Sequence, residues 1–376
     1  MVKPELPSAR ATAGMSASDF ETLHEIVGRA RQNLDQNSWD YIVGGTETET
    51  TLRRNRLALD SVALRHRVLR NVSKVDASVD RLGRKLRLPV VLAPIGSLES
   101  FQAGGAAPAA RAAGKFGVPH MLSSACDPDL EQVAAEAPDA LRMFQLYARG
   151  DDDWVDEHVR RAMTCGCSAF FLTVDTAIYT RRERDICKRY VTLGRRRASG
   201  EEFQAALDWR TVARLKNKFD MPLGLKGIGD AEDALVALDH GVDFIYISNH
   251  GGRQLDHDRG SFEMLPEIAD AAQGRATIIV DGGFCRGTDI VKGIAAGADL
   301  IGLGRMQCYG LAAAGEAGVV RMLELLEDEV RRTLGLVGAT RMTDVSRASL
   351  APAQPTNLPS VLSAFPLLKL DDDFAY

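Results

Sequence analysis

Phe244-Ile245-Tyr246-Ile247-Ser248-Asn249-His250-Gly251-Gly252-Arg253 joins four large apolar residues to a turn carrying a histidine, two glycines and an arginine. A short run that is apolar at every position predicts a strand buried on both faces, the habit of parallel sheets. Seven further runs share the pattern, at 89–95, 119–123, 141–147, 169–174, 222–226, 277–281 and 300–304. Helical patterns at 106–116, 129–136 and 231–238 lie between them. Eight such runs with intervening helices predict an α/β fold, a closed (β/α)8 TIM barrel. An open doubly wound sheet is the alternative, but the glycine fingerprint expected after its first strand is missing.

Outward from the barrel, residues 1–17 are expected as a disordered leader and 18–348 as the barrel domain with an N-terminal helical lead-in. Ser18, with Glu21 three residues on, predicts the capping box that starts the lead-in. The connection 180–209 is long enough for an active-site lid and holds Arg195-Arg196-Arg197, whose plainer reading is a solvated loop face. Residues 319–334 predict an amphipathic closing helix. Residues 349–376 form a C-terminal tail, either disordered or packed on a neighbouring subunit.

With 46 Lys plus Arg against 51 Asp plus Glu, the net charge of −5 argues against a nucleic-acid partner and for a small anionic one. The six cysteines lack zinc-site spacing, so no metal is expected and free thiols in a reducing cytoplasm are. Neither a secretory leader nor a run of about 20 apolar residues is present, which predicts a cytoplasmic protein without a membrane partner.

In a barrel the chemistry belongs at the C-terminal ends of the strands. Those ends read Pro94-Ile95-Gly96, Ser123-Ser124, Gln145 with Tyr147, Thr173 with Asp175, Lys226, Ser248 with His250 and Arg253, Asp281-Gly282-Gly283, and Gly304-Arg305. The last two suit a phosphate-bearing ligand, because glycine amides after strands seven and eight commonly make such a site. From residues alone Lys226 is either a Schiff-base nucleophile or a fixed cation beside an electron-rich cofactor. His250 is a base or a satisfied core histidine, and Asp175 is its natural partner or an ordinary turn residue.

SNHGGRQLD (248–256), with LTVDT (172–176), FQLY (144–147), DGG (281–283) and GLGR (302–305), resembles the FMN-dependent 2-hydroxy acid oxidase and dehydrogenase family. The resemblance runs from about residue 20 to about residue 346. It implies FMN as cofactor, His250 as the base paired with Asp175, and Arg253 and Tyr41 as the clamp on the substrate carboxylate. Tyr147 would lie by the substrate hydroxyl, with Arg182 as an additional active-site arginine. Pro94, Ile95, Gly96, Ser123, Gln145, Thr173, Lys226 and Ser248 would surround the flavin ring, and Asp281, Gly282, Gly283, Gly304 and Arg305 its phosphate end. The resemblance further implies a homo-oligomer, a tetramer, with oxygen or a soluble acceptor taking the electrons. Four positions depart from the family pattern. Phe101-Gln102-Ala103-Gly104-Gly105 replaces His-Pro-x-Gly-Glu, and Cys285 replaces a phosphate-binding arginine unless Arg286 substitutes, which predicts weak flavin occupancy. Ala125 and Gly96 replace larger residues and predict room for a bulky or aromatic substrate side chain. The rival readings are a same-fold flavin enzyme acting on a biosynthetic intermediate, and a non-redox phosphate-binding barrel that is a Schiff-base lyase or silent.

Overall fold

The computed structural model describes residues 16–368. Eight parallel strands close into one barrel: β1 (Val90–Leu92), β2 (His120–Ser123), β3 (Arg142–Leu146), β4 (Phe170–Thr173), β5 (Leu223–Ile228), β6 (Phe244–Ile247), β7 (Thr277–Val280) and β8 (Leu300–Leu303). Each lies within the expected run or ends within two residues of it. All four residues of β6 are buried, because helices cover the outer face while the inner face fills the barrel. Inside, Met121, Met143, Phe171, Phe244, Tyr246 and Ile279 form one packed cluster. Large residues face glycines there. A Cβ on Gly224 would sit 2.2 Å from the Phe171 ring, and one on Gly302 would sit 2.2 Å from the Tyr246 hydroxyl. The register pairs Ser123 with Gln145 and Thr173 with Lys226, which sets polar strand ends side by side at one mouth.

The expected helices are Ala106–Phe116, Leu130–Glu136 capped by Asp129, and Ala231–Asp239. The lead-in starts later than predicted. Thr22 and Glu25 make the capping box of Leu23–Asn33, and Ser18 instead joins a short 3-10 turn begun by Ser16. Tyr41 rides on the next helix, Gln36–Val43. The closing helix is the second part of Arg305–Leu336, whose backbone breaks at Ala314 and Gly315. The connection 180–209 holds three short helices, Glu183–Cys187, Leu193–Arg197 and Glu201–Ala205.

The tail follows its own chain as far as it is described. Leu350–Pro352 pairs antiparallel with Val62–Leu64, and Phe365 is buried in the main core. Residues 1–15 of the expected leader and 369–376 of the tail lie outside the described residues. Among the described residues, no helix is long and apolar enough to cross a membrane.

Candidate active site

A cavity of about 540 Å³ opens at the C-terminal ends of the strands, within the range of pockets that enclose a cofactor or drug-sized ligand. On its wall stand Tyr41, Pro94, Ile95, Gly96, Tyr147, Arg182, Lys226, His250, Arg253, Asp281, Gly282, Gly283, Gly304 and Arg305. Ser123, Gln145, Thr173 and Ser248 are buried strand-end residues just behind that wall, and Asp175 stands behind His250.

His250 takes the left-handed backbone conformation, φ 59°, and Gly251 and Gly252 follow it at φ 64° and 79°. For a histidine this conformation is uncommon and costs roughly 1–3 kcal/mol. It is fixed from behind: the His250 N–H donates to the Ser248 Oγ at 3.0 Å. The ring then spans two partners. Nδ1 lies 3.2 Å from both Asp175 carboxylate oxygens, and Nε2 lies 3.0 Å from the Tyr147 hydroxyl. Burial pushes the imidazole below its ordinary value; Asp175 opposes that and Lys226 adds to it. Burial works against the Asp175 charge, yet His250 and Lys226 hold that carboxyl below the usual range. The pair is therefore carboxylate and neutral imidazole, with Nδ1–H donating to Asp175. Burial, with Asp175 next, raises the Tyr147 phenol, which stays protonated and can donate to Nε2. The outcome is a neutral base whose Nε2 lone pair, met by the Tyr147 hydroxyl, is the proton acceptor.

Two arginines of the wall, Arg253 and Arg182, keep a buried N–H that meets no acceptor among the described residues. Arg253 donates through Nη1 to the carbonyls of Tyr41 and Gly44, lies 4.5 Å over the Tyr41 ring, and leaves Nη2 buried without an acceptor. Burial, with Arg182 next, pulls its guanidinium down to about 10. Arg182 stands 5.0 Å over Tyr179 and 6.0 Å over Tyr41, its Nε likewise buried and unmet. Buried charged donors left unsatisfied are costly, and an anion between them would relieve both.

Beside the base lies a polar chain suited to a flavin. Lys226 Nζ donates to Ser248 Oγ at 3.0 Å and stands 3.6 Å from Asp281, to which Ser248 donates at 2.7 Å. Gln145 donates to Thr173 through Nε2, and its Oε1 is buried with no donor facing it. An orphaned amide oxygen, a fixed cation and two glycine loops fit a polar planar group with an anionic end. In the first loop Gly282 and Gly283 sit at φ 100° and 85°, and a Cβ on Gly282 would meet the Ser261 hydroxyl at 2.6 Å. Only glycine turns there.

Arg286 is a correction. Its guanidinium pairs with Glu329 and donates to the Ala364 carbonyl at 3.3 Å, so it points away from the cavity and cannot stand in for Cys285. Cys285 lines the cavity with a thiol that burial pushes up to about 12, neutral and unable to supply the missing charge. Gly96 is a second adjustment: a Cβ there would lie 3.1 Å from the Ala125 Cβ, so its room is already taken by Ala125.

Sequence reasoning missed the supports. Arg56, 4% exposed, pairs at 2.7 Å with Asp289, 1% exposed, and donates to the Gly283 carbonyl at 3.0 Å. Asp289 accepts the N–H groups of Cys285 and Arg286, which fixes the glycine loop. Asn55 and Asn249 exchange amide hydrogen bonds at 2.9 and 2.8 Å beneath the His250 turn. In the sequence Asn55 and Arg56 are two more polar residues of a helix, with no spacing to single them out. The connection 180–209 is likewise tied down: Gly194 donates to Ser97 Oγ at 2.9 Å and Arg197 pairs with Glu99. Arg195 and Arg197 of the basic triplet line the cavity, and Arg196 is exposed.

A family model described as FMN-dependent dehydrogenase matches residues 30–352. The chain belongs to that family. FMN is therefore its cofactor and oxidation–reduction its chemistry, which removes the non-redox barrel. Glycolate oxidase of Spinacia oleracea is 35% identical over 355 residues, covering 89% of this chain and 96% of the relative. L-lactate oxidase of a Nostoc species is 34% identical over 354 residues, covering 87% and 97%. A crystal structure of mandelate oxidase with benzoyl-formic acid superposes with a TM-score of 0.82 at 36% identity, covering 90% of this chain and 100% of that one. A mandelate oxidase variant carrying a C4a-hydroxyl FMN adduct superposes at 0.80 with 36% identity, covering 88% and 99%. This family member thus shares its barrel with proteins whose names describe 2-hydroxy acid oxidation.

Proposed function

We propose that this FMN enzyme oxidises 2-hydroxy acids with a bulky or aromatic side chain to 2-oxo acids. The observation that carries the reading is the neutral His250, held between Asp175 and Tyr147 beside the two unmet guanidinium groups of Arg253 and Arg182. Arg253, with Tyr41, binds and orients the substrate carboxylate; Arg182 adds a second cation. The hydroxyl is then presented toward Tyr147 and His250. Loss of two electrons and two protons from the carbinol gives the oxo acid, and FMN, when bound, supplies the electron acceptor. His250 takes a proton at Nε2, and the Asp175 carboxylate stabilises the imidazolium that forms. A base placed this way contributes roughly 100- to 10,000-fold. Lys226, Ser248, Gln145 and Thr173 would hold the flavin ring, with Lys226 as a cation tied to Asp281, and the glycine loops and Arg305 the phosphate end.

The bulky substrate rests on Ala125, a cavity-lining residue, and on likeness to mandelate oxidase. Anaerobic bleaching of the bound flavin by mandelate-type, lactate-type and glycolate-type acids, followed by air, tests substrate and acceptor together. No bleaching by any of them would refute the reading, and prompt recolouring in air would mark oxygen as the acceptor rather than a soluble partner. We further propose a homo-oligomer, a tetramer, in the cytoplasm. Exposed Val68 and Leu69 lie near exposed Leu336, whose carbonyl accepts the Arg67 N–H, a surface suited to another subunit. All six cysteines are free, which suits a reducing compartment. Light scattering gives the mass.

A further inference from the structure

Residues 353–368 lie beyond the family match at 30–352, yet they reach the active-site cavity. Ser360 and Val361 stand on its wall. Three residues on, the Ala364 carbonyl accepts from Arg286, the residue directly after Cys285, so this part of the wall sits at the end built by the first glycine loop. The segment is anchored. Phe365 is 2% exposed, meets His24 edge-on with ring centroids 5.7 Å apart, and lies 5.9 Å from the Arg286 guanidinium. Leu368 touches the Gly28 position of the lead-in helix. The turn before Phe365 closes on itself, with Ser360 N–H donating to Ser363 Oγ at 3.1 Å and Ser363 Oγ donating back to the Ser360 carbonyl at 2.9 Å.

From this we infer that the segment 360–365 is part of the cofactor site: it walls the phosphate end of the flavin cavity, with Phe365 as its anchor and Arg286 as its strut. The inference rests on placing the phosphate at the glycine loops. It also gives the displaced arginine a use. Arg286 supplies no charge to the cavity; it holds the segment that closes it. Where Cys285 leaves the phosphate one cation short, retention of FMN depends on closure in place of charge. Phe365, 2% exposed, is the buried aromatic anchor that holds this wall closed.

The test measures FMN release from the full-length holoenzyme, followed by the recovery of flavin fluorescence after dilution. Phe365→Ala is expected to speed release at least tenfold, and Phe365→Leu, which restores most of the buried volume, to recover most of the wild-type rate. In wild-type protein, FMN is expected to slow amide hydrogen exchange across 360–368 relative to the apoprotein. A general loss of stability would lower the melting temperature of the apoprotein without that FMN-dependent protection. Unchanged release from Phe365→Ala, or equal exchange in 360–368 with and without FMN, would overturn the inference. Riboflavin in place of FMN separates it from the phosphate placement: equal protection of 360–368 by both flavins would refute a wall at the phosphate end while leaving FMN binding intact.

Discussion

Replacing Asp175 with asparagine isolates what the carboxylate does for the base. The geometry allows the exchange, since asparagine is isosteric with aspartate and Gly227, where a Cβ would lie 2.5 Å from the Asp175 Cβ, leaves the side chain its place. The substitution keeps a hydrogen-bonding group at 3.2 Å from Nδ1 but removes the charge opposite the imidazolium. A hydrogen bond to a charged group contributes about 1.5–3 kcal/mol, and each 1.36 kcal/mol is a factor of ten, so proton abstraction should slow by roughly 10- to 150-fold. Asp175 is also the largest influence raising the imidazole pKa against burial. Without it that pKa falls further below 6.5, so the acid limb of the rate profile should move to lower pH while the plateau drops. Anaerobic stopped-flow bleaching of the flavin at saturating 2-hydroxy acid, from about pH 5 to 8, reads both changes. A plateau within twofold of wild type and an unmoved limb would refute the role given to Asp175.

Other perturbations test separate parts of the structure. Ala125→Trp fills the cavity beside Gly96 and should cut flavin bleaching by mandelate-type acids far more than by glycolate-type acids, seen as a reversed ratio of kcat/KM. Asp289→Asn leaves Arg56 with Asp60 as its remaining carboxylate and should cost about 1.5–3 kcal/mol, measured as a lower urea midpoint with weakened FMN binding. His120, fully buried on β2 with neither ring nitrogen partnered among the described residues, is held by burial at about 4 against an ordinary 6.5. Because its folded value is depressed, stability present above about pH 6.5 is lost as pH falls toward 4, about 2 kcal/mol of it by pH 5. His120→Leu should flatten that acid loss in paired urea melts, and an unchanged pH slope would exclude the histidine as its source.

How far the sequence could be read depended on what kind of signal each residue left. The barrel strands were legible because a strand buried on both faces must be apolar throughout, and their polar ends named the site. Helix starts were less so: Ser18 and Thr22 both open a capping pattern, and only the packing of Leu23, Ile26 and Val27 selects the second. Arg286 was misplaced because neighbouring residues in a glycine loop point to opposite sides, a choice made by Glu329 and Ala364 from distant parts of the chain.

By itself the sequence determined the (β/α)8 architecture, the family and the residues gathered at the barrel mouth, since periodicity and local motifs are properties of contiguous residues. Tertiary structure alone decided what those residues experience. Burial keeps His250 neutral against the pull of Asp175, the buried N–H groups of Arg253 and Arg182 that meet no acceptor among the described residues leave both open to an anion, and Phe365 folds the far end of the chain against the cavity. Charge state and enclosure depend on every neighbour in space, and those neighbours come from positions as distant along the chain as Phe365 and His24.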